Sequence, residues 1–512
     1  MVSDDEEPQT YKQAMSSKDK GLWMAAIADE LKSHDQNKTW ELVKRTNNMN
    51  VIGSRWVFKK KKDENGKVVK HKARLVAKGY TQEYGIDYKD TFAPVMKYKS
   101  LRTILALATP TSHVDQLDVK TAFLNAEVKE EVFVEVPEGL NAPPGTVMKL
   151  VKALYGIKQA PRAWNQCIDR YLKSMGFRAC RKDTCIYVKK TVKGNVMVIG
   201  LFVDDILCSY EEIDRFEWQK YKSYLMKEYE MTDLGPVHHI LGMRVTRKDN
   251  RFIIDQEAYV NEKVTEFMGS EVRKMKTPEE TGRVKIDSKS INNVSEYRAI
   301  VGSLIYASVS TRPDIAHAVN TASRRMSDPR HDDMVAAKRV LRYLHGTASK
   351  GLMYDTAAND GKYVKITAFS DSDWGGSRDD DNRSTTGYCM FVNGNMVQWN
   401  TKRQRVVALS SAEAELTALV EVTKEVEWME MLLTDMGFEV GQPSDIHVDN
   451  QAAIRMVNND IEHDRSKHIR MRYQWVKELV DVDRFNVKWV ETKEQLADVF
   501  TKALGSVQFD RQ

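Results

Sequence analysis

Adjacent aspartates occur at Asp4-Asp5, Asp204-Asp205, Asp332-Asp333 and through Asp379 to Asp381, so the dipeptide by itself carries little information. Asp204-Asp205 stands apart because strand-like apolar sequence flanks it on both sides, VIGLFV before and ILCS after. Two carboxylates at the tip of a buried hairpin repel each other and lose hydration, a cost that bound cations relieve. A third carboxylate on a neighbouring strand would complete a metal site. Asp118 in HVDQLDVKTAFLN is placed for that, at the end of an alternating segment, whereas Asp115 is read as preceding the strand. Taken singly, Asp118 is a strand-end residue able to cap the helix that begins near Thr121. A second set of acids lies toward the C-terminus: Asp371 ending a strand, Glu415 on a helix, Asp449 ending a strand and Asp498 on the last helix. Each alone would be a solvated helix or strand end.

The elements that must hold these acids follow from apolar periodicity. VMVIGLFV (196–203) and ILCSY (206–210) read as strands and RFEWQKYKSYLMKEYE (215–230) as a helix, while helices dominate from Gln256 to His345. After DTAANDG (355–361), read as a linker, KITAFSD (365–371) and GYCMFVNGNMVQW (387–399) read as one strand each. A helix SAEAELTALVEVTKEVEWMEMLLTDM, a strand SDIHVD and a helix from Asn450 complete a β-β-α-β-α unit of separate-domain size. Near the N-terminus Trp23, Ile27 and Leu31 recur at four-residue spacing, an amphipathic helix read as core packing.

Charge is concentrated in one place. Across the 512 residues, 78 Lys and Arg against 73 Asp and Glu give +5, too slight to demand a polyanionic partner. Residues 55–78, RWVFKKKKDENGKVVKHKARLVAK, nevertheless carry ten Lys or Arg against Asp63 and Glu64. They read as two strands about an Asn65-Gly66 turn, a projecting basic hairpin that is either a solvated edge or a grip on phosphate. The five cysteines form no CxxC pair, which predicts a reduced, cytosolic protein without a cysteine zinc site. No membrane span and no secretory signal are expected.

Read in order, LDVKTAF (117–123), LYGIKQAPRAW (154–164), FVDD (202–205) and ILGMRV (240–245) resemble the reverse transcriptase palm. With RWVFKKK, KARLVAKGYTQ, YGIDYKDTFAPV and ADVFTK, the chain resembles the copia-type long-terminal-repeat retrotransposons from about Trp23 to Lys502. The resemblance implies an α+β and α/β multidomain chain, a right-hand polymerase followed by a ribonuclease H-like domain. The expected segments are an N-terminal extension (1–50), fingers and palm (51–255), thumb or connection (256–355) and ribonuclease H (356–512). It implies two Mg²⁺ ions per site, with Mn²⁺ an alternative, held by Asp118, Asp204 and Asp205, and Val119 supplying a backbone carbonyl. Phe123 matches the aromatic gate under the sugar, and Lys60 and Arg74 match the triphosphate grip, although the sequence leaves open which of Lys59 to Lys62 serves. Gly156 and Pro161 match the template-facing loop, with Tyr155 where retroviral enzymes carry Gln, and Leu241, Gly242 and Met243 resemble the primer grip.

SDSDWGG, AEAELTA, VDNQAA and EQLADVFTK resemble the ribonuclease H domain of the same elements, with Asp371, Glu415, Asp449 and Asp498 as its quartet and Asp373 and Glu413 as rivals. The loop before Asp498 lacks the histidine many such enzymes carry there; His463 and His468 lie far upstream. Ser372, Ser410, Asn450 and Gln451 are candidate hybrid contacts. The implied partners are an RNA template, a DNA primer, RNA-DNA hybrid and deoxynucleoside triphosphates, with a homodimer or an integrase as associating proteins and cytoplasmic virus-like particles, followed by nuclear passage, as the setting. The helices of PDIAHAVNTASRRM and AAKRVLRYLHGT are expected to grip the duplex through basic faces. A noncatalytic nucleic-acid-binding subunit, or a decayed remnant, is the competing reading; the seven intact acids speak against decay.

Overall fold

Apolar and basic residues alternate in RWVFKKKK, and the computed structural model pairs Ser54–Lys62 with Val68–Ala77 as an antiparallel hairpin. The structure describes residues 7–62, 68–282, 288–359, 363–376, 382–458 and 467–511, without the side chains of Lys62 and 467–472; the DENG turn and the run Asp379 to Asp381 lie outside it. Trp56, Phe58, Ala73 and Leu75 form the buried face of the hairpin. The helix Lys20–Asn37 covers that face, its Trp23 meeting Phe58 edge-on at 5.2 Å. Just beyond, Trp40–Lys44 pairs with Thr146–Leu150. Within the N-terminal extension expected over 1–50, the helix Lys20–Asn37 and the strand Trp40–Lys44 thus pack onto this body.

Six antiparallel strands make the central sheet, in the order Met231–Pro236, Ser112–Val119, Asp205–Glu211, Val196–Phe202, Ile186–Lys190 and Arg178–Ala179. Asp115 lies inside its strand, not ahead of it. Its buried carboxylate accepts from Trp218 Nε1 at 2.8 Å and Tyr210 Oη at 3.2 Å, so it locks the helix Arg215–Glu228 to the sheet.

Beyond the sheet, the helices Glu257–Met268, Val294–Ser310, Ala316–Ser323 and His331–Gly346 enclose a core of their own that includes Val260, Ile300, Leu304 and Leu344. The strand Leu352–Asp355 returns to pair with Arg251–Asp255. One small sheet thus spans the boundary expected between 255 and 256. On the helix His331–Gly346, Lys338 pairs with Glu296 at 3.2 Å and Arg339 donates to Thr277 Oγ1 at 3.2 Å, so both are engaged within the protein. The expected linker begins as a 3-10 turn, Thr356–Ala358, whose Thr356 N–H donates to Asn250 O at 2.8 Å.

The C-terminal unit is a five-stranded sheet ordered Asn395–Arg403, Thr385–Val392, Ile366–Asp373, Ser444–Val448 and Phe485–Trp489, with the helix Ser411–Met436 against it. The single strand expected over 387–399 is a hairpin. Asn393 and Gly394 turn it with φ of 48° and 75°, as a two-residue turn requires. The last strand was not expected, and Asp498 sits in a 3-10 turn, Leu496–Phe500, not on the last helix.

One buried arginine ties the regions together. Arg102, on the helix Tyr98–Ala106, lies 3.9 Å over the Trp399 ring and donates to the carbonyls of Val309, Ser310 and Val397. Burial lowers its pKa to about 10. Carbonyl dipoles and an aromatic face, in place of a carboxylate, hold its charge.

Candidate active sites

The strands Val196–Phe202 and Asp205–Glu211 leave only Val203 and Asp204 to turn the hairpin, because Phe202 already pairs with Asp205. Val203 takes φ of 55°, an unfavourable value for a β-branched residue and the kind of strain that functional turns retain. Two bonds hold it there: Trp164 Nε1 donates to Val203 O at 2.6 Å and Val119 N–H donates to Asp204 O at 2.9 Å. Asp118 lies opposite Asp205 in the ladder. The sequence-predicted triad is therefore assembled at one corner of the central sheet.

A cleft of about 310 Å³ opens at this corner, lined by Asp118, Asp204 and Val119 on one wall and Lys61, Lys70, Lys72 and Arg74 on the other. Burial and the neighbouring Asp204 raise the pKa of Asp118, against the pull of Lys61, Lys72 and Arg74. Burial also pushes Asp205 up to about 6, although Gln116 Nε2 donates to its Oδ1 at 2.9 Å. Lys72 is lowered, first by burial and then by Arg74 and Lys61. Half-buried acids facing a cluster of cations, of which Lys72 and Arg74 are half-buried and Lys61 and Lys70 exposed, are an arrangement that could hold a polyanion carrying metal ions.

Strand parity corrects one residue. Lys60 shares the inward face of the hairpin with Trp56 and Phe58. Its Nζ lies 3.1 Å from Asp19, and its N–H donates to Glu7 Oε1 at 2.9 Å. Lys61, one residue on, faces the cleft beside Arg74. Tyr155 also lines the cleft, under the Arg74 guanidinium at 5.2 Å, and its ring stands 4.6 Å from that of Phe123. Sequence reasoning marked Tyr155 only as a departure from the retroviral Gln and gave it no role. It equally missed the helix Lys20–Asn37 as a cleft wall, where Asp29, Glu30 and Ser33 contribute.

Two other predicted groups serve the backbone. Gly156, at φ of 96°, lets its loop press on the basic hairpin: a Cβ there would lie 2.1 Å from Ala77 O. It holds Tyr155 in place and does not line the cleft. Leu241 and Gly242 form a turn with φ of 51° and 73°, and Tyr306 Oη donates to Leu241 O at 2.6 Å. A Cβ on Gly242 would fall 2.3 Å from that hydroxyl. Met243 is buried, so this turn is tied to the helical region through glycine and tyrosine.

In the C-terminal unit Asp371, Asp449 and Asp498 each bring a carboxylate oxygen within 4.8 Å of the others, the one such three-acid cluster among the described residues. Glu415 Oε1 accepts from Ser372 N–H at 3.3 Å, while its buried Oε2 finds no hydrogen-bond partner among the described residues. Burial and then Asp371 raise the pKa of Glu415, raise Asp449, and push Asp498 up to about 7. Thr501 Oγ1 donates to Asp371 Oδ2, and Gln508 Nε2 to Asp498 Oδ2 at 3.0 Å. Lys502 Nζ stands 2.7 Å from Asp498 Oδ1. An oxygen-only donor set with a buried oxygen lacking a donor suits a hard divalent cation.

Asp373 is outside that trio, and Glu413 accepts from Leu409 N–H at 2.9 Å at its helix start. Ser410 and Asn450 are caps: Ser410 Oγ accepts from Glu413 N–H at 3.3 Å and Asn450 Oδ1 from Ala452 N–H at 3.0 Å. Ser372 is buried and Gln451 exposed. His463 lies outside the described residues, as does the side chain of His468.

Comparison with known proteins places these sites in context. The family described as reverse transcriptase (RNA-dependent DNA polymerase) matches residues 37–281. The retrovirus-related Pol polyprotein from transposon TNT 1-94 of Nicotiana tabacum is 38% identical over 525 residues, covering 100% of this chain and 39% of that protein. That from transposon RE1 of Arabidopsis thaliana is 35% identical, covering 98% of this chain and 34% of that protein. A putative transposon Ty5-1 protein of Saccharomyces cerevisiae is 31% identical and matched over its full length, 100%, by 60% of this chain. The chain thus spans less than half the length of the plant polyproteins it matches. A solved structure of the foamy viral protease-reverse transcriptase in complex with RNA/DNA hybrid aligns with a TM-score of 0.50 at 11% identity, over 94% of this chain and 55% of that chain, a likeness of fold.

Proposed function

Because the chain belongs to the reverse transcriptases of copia-type retrotransposon Pol polyproteins, we propose that it copies RNA and DNA templates into DNA at the Asp118, Asp204, Asp205 corner. It hydrolyses the RNA strand of RNA-DNA hybrids at Asp371, Glu415, Asp449 and Asp498. The observation that carries this reading is the cleft in which Asp118 and Asp204 face Lys61, Lys72 and Arg74.

Mg²⁺, or Mn²⁺ in its place, would be held by the three acids of the corner with the Val119 carbonyl, and by the C-terminal quartet; bound there, it acidifies an attacking hydroxyl or water and neutralises phosphate charge. The protein's own groups do the rest. Lys61, Lys72 and Arg74 hold the triphosphate of an incoming deoxynucleotide. Phe123, braced by Tyr155, sits under its sugar, where bulk excludes a 2′-hydroxyl. Gln116 orients Asp205 through its hydrogen bond to Oδ1. In the second site Thr501 and Gln508 orient Asp371 and Asp498. The partners are an RNA template, a DNA primer and their hybrid, with a homodimer or an integrase as associating proteins, within cytoplasmic virus-like particles and with later nuclear passage.

Primer extension on an RNA template with Mg²⁺, with the RNA strand labelled, tests this. Extension with concurrent RNA shortening is expected. Tight hybrid binding with neither product would instead identify a noncatalytic nucleic-acid-binding subunit.

A further inference from the structure

The hybrid-cleavage site proposed above contains a cation of its own. Lys502 follows Thr501 at the end of the turn that carries Asp498, and its Nζ lies 2.7 Å from Asp498 Oδ1 and 3.9 Å from Asp371 Oδ2. Both acids are almost wholly buried, at 0% and 3% exposure, whereas the Lys502 side chain is 38% exposed. The ammonium thus enters the carboxylate cluster from its open side. Glu415 is 5% exposed with an unpartnered Oε2, so one lysine leaves the quartet short of positive charge. No other lysine or arginine in the described structure is in ion-pair contact with Asp371 or Asp498.

We propose that Lys502 is a built-in competitor of the divalent metal, an ammonium that occupies part of the cation space between Asp371 and Asp498 and must be displaced when the site loads. An ammonium supplies three donors and one positive charge, half that of a divalent ion, so it steadies the metal-free cluster without neutralising it. The partial exposure of its stem gives the displaced side chain a path outward. Metal loading therefore exchanges one ion pair for another, and the affinity of this site for metal is set lower than four carboxylates alone would make it. The inference rests on the reading of this quartet as a hybrid-cleavage site, and it makes Lys502 a positioning residue for that quartet.

The test is Mn²⁺ titration of the full chain, followed by calorimetry and electron paramagnetic resonance, in a background of Asp118→Asn and Asp204→Asn that silences the other site. Lys502→Met is expected to bind Mn²⁺ about tenfold more tightly than the unmutated site, a change of about 1.4 kcal/mol. Lys502→Arg, which keeps the charge, is expected to remain weak. Equal or weaker binding in Lys502→Met, in a protein whose thermal melt shows it folded, overturns the proposal and makes Lys502 a brace for the acids. If Lys502→Met does not fold, Lys502→Gln is read in the same way. Failure of the cleavage reading itself is seen separately, as absence of RNA hydrolysis by the unmutated chain with Mn²⁺ bound.

Discussion

The two acidic sites are built on opposite plans. At the sheet corner, Asp118 and Asp204 line an open cleft while Asp205 accepts a hydrogen bond from Gln116, and the balancing cations come from a separate hairpin across the gap. In the C-terminal unit three acids already converge within 4.8 Å, and their counter-charge, Lys502, lies four residues from Asp498. The contrast indicates where each site obtains its order. On the proposed reading, the corner would be completed by a substrate that brings triphosphate and metal together, whereas the quartet, already gathered, would be completed by metal alone.

Reciprocal loss of activity gives the largest effects. Asp204→Asn is expected to reduce extension by about a thousandfold or more, removing a group with no substitute, and to leave RNA cleavage within about twofold. Next comes the cation wall. Arg74→Ala or Lys72→Ala should raise KM for deoxynucleoside triphosphates about tenfold, the scale of one charge-assisted phosphate contact, while Lys60→Ala should leave KM unchanged. Steady-state kinetics separates them, and a KM effect at Lys60 equal to that at Lys72 would break the assignment of faces.

Stability provides a third test. Burial raises Asp498 to about 7 and also raises Glu415 and Asp449, so the folded state prefers these acids protonated. For a raised carboxyl, the stabilising contribution is complete below the unfolded value near 4 and is lost as pH rises through the folded value. The metal-free protein should therefore melt lower at pH 8 than at pH 5 through this cluster, and Mg²⁺ should reverse the trend. Asp498→Asn should gain about 1–3 kcal/mol at pH 8 and little at pH 5, as calorimetry would read. The smallest effect is expected at Lys60→Ala, about 1 kcal/mol from its pair with Asp19, read as a small drop in Tm.

Much of this was legible in the sequence, and the failures have physical causes. The corner acids stood out because they end or interrupt apolar runs, whereas Asp371, Glu415, Asp449 and Asp498 were singled out by their order and their register in motifs resembling the ribonuclease H domain. The parity of the basic hairpin was legible too: an Asn65-Gly66 turn sets Lys61 opposite Lys70, the pairing observed, and so puts Lys60 on the apolar face. Asn393-Gly394 carried the same signal, but the apolar residues on both sides made one long strand of it. Tyr155 and Lys502 lay inside recognised motifs, but nothing local gave them a role, and Gln508 had no local signature. They reach their sites by tertiary contact: Tyr155 through the approach of Gly156 to Ala77, and Gln508 from a C-terminal helix whose Phe509 packs edge-on against Tyr343 at 5.7 Å.

The most direct test of two independent sites in one chain is a single reaction on a primed RNA template, with primer and template separately labelled, comparing Asp204→Asn with Asp498→Asn. The account predicts that Asp204→Asn cleaves without extending and Asp498→Asn extends without cleaving. Loss of both products in either variant, with hybrid binding unchanged and the thermal melt no lower than that of the unmutated chain, would contradict it.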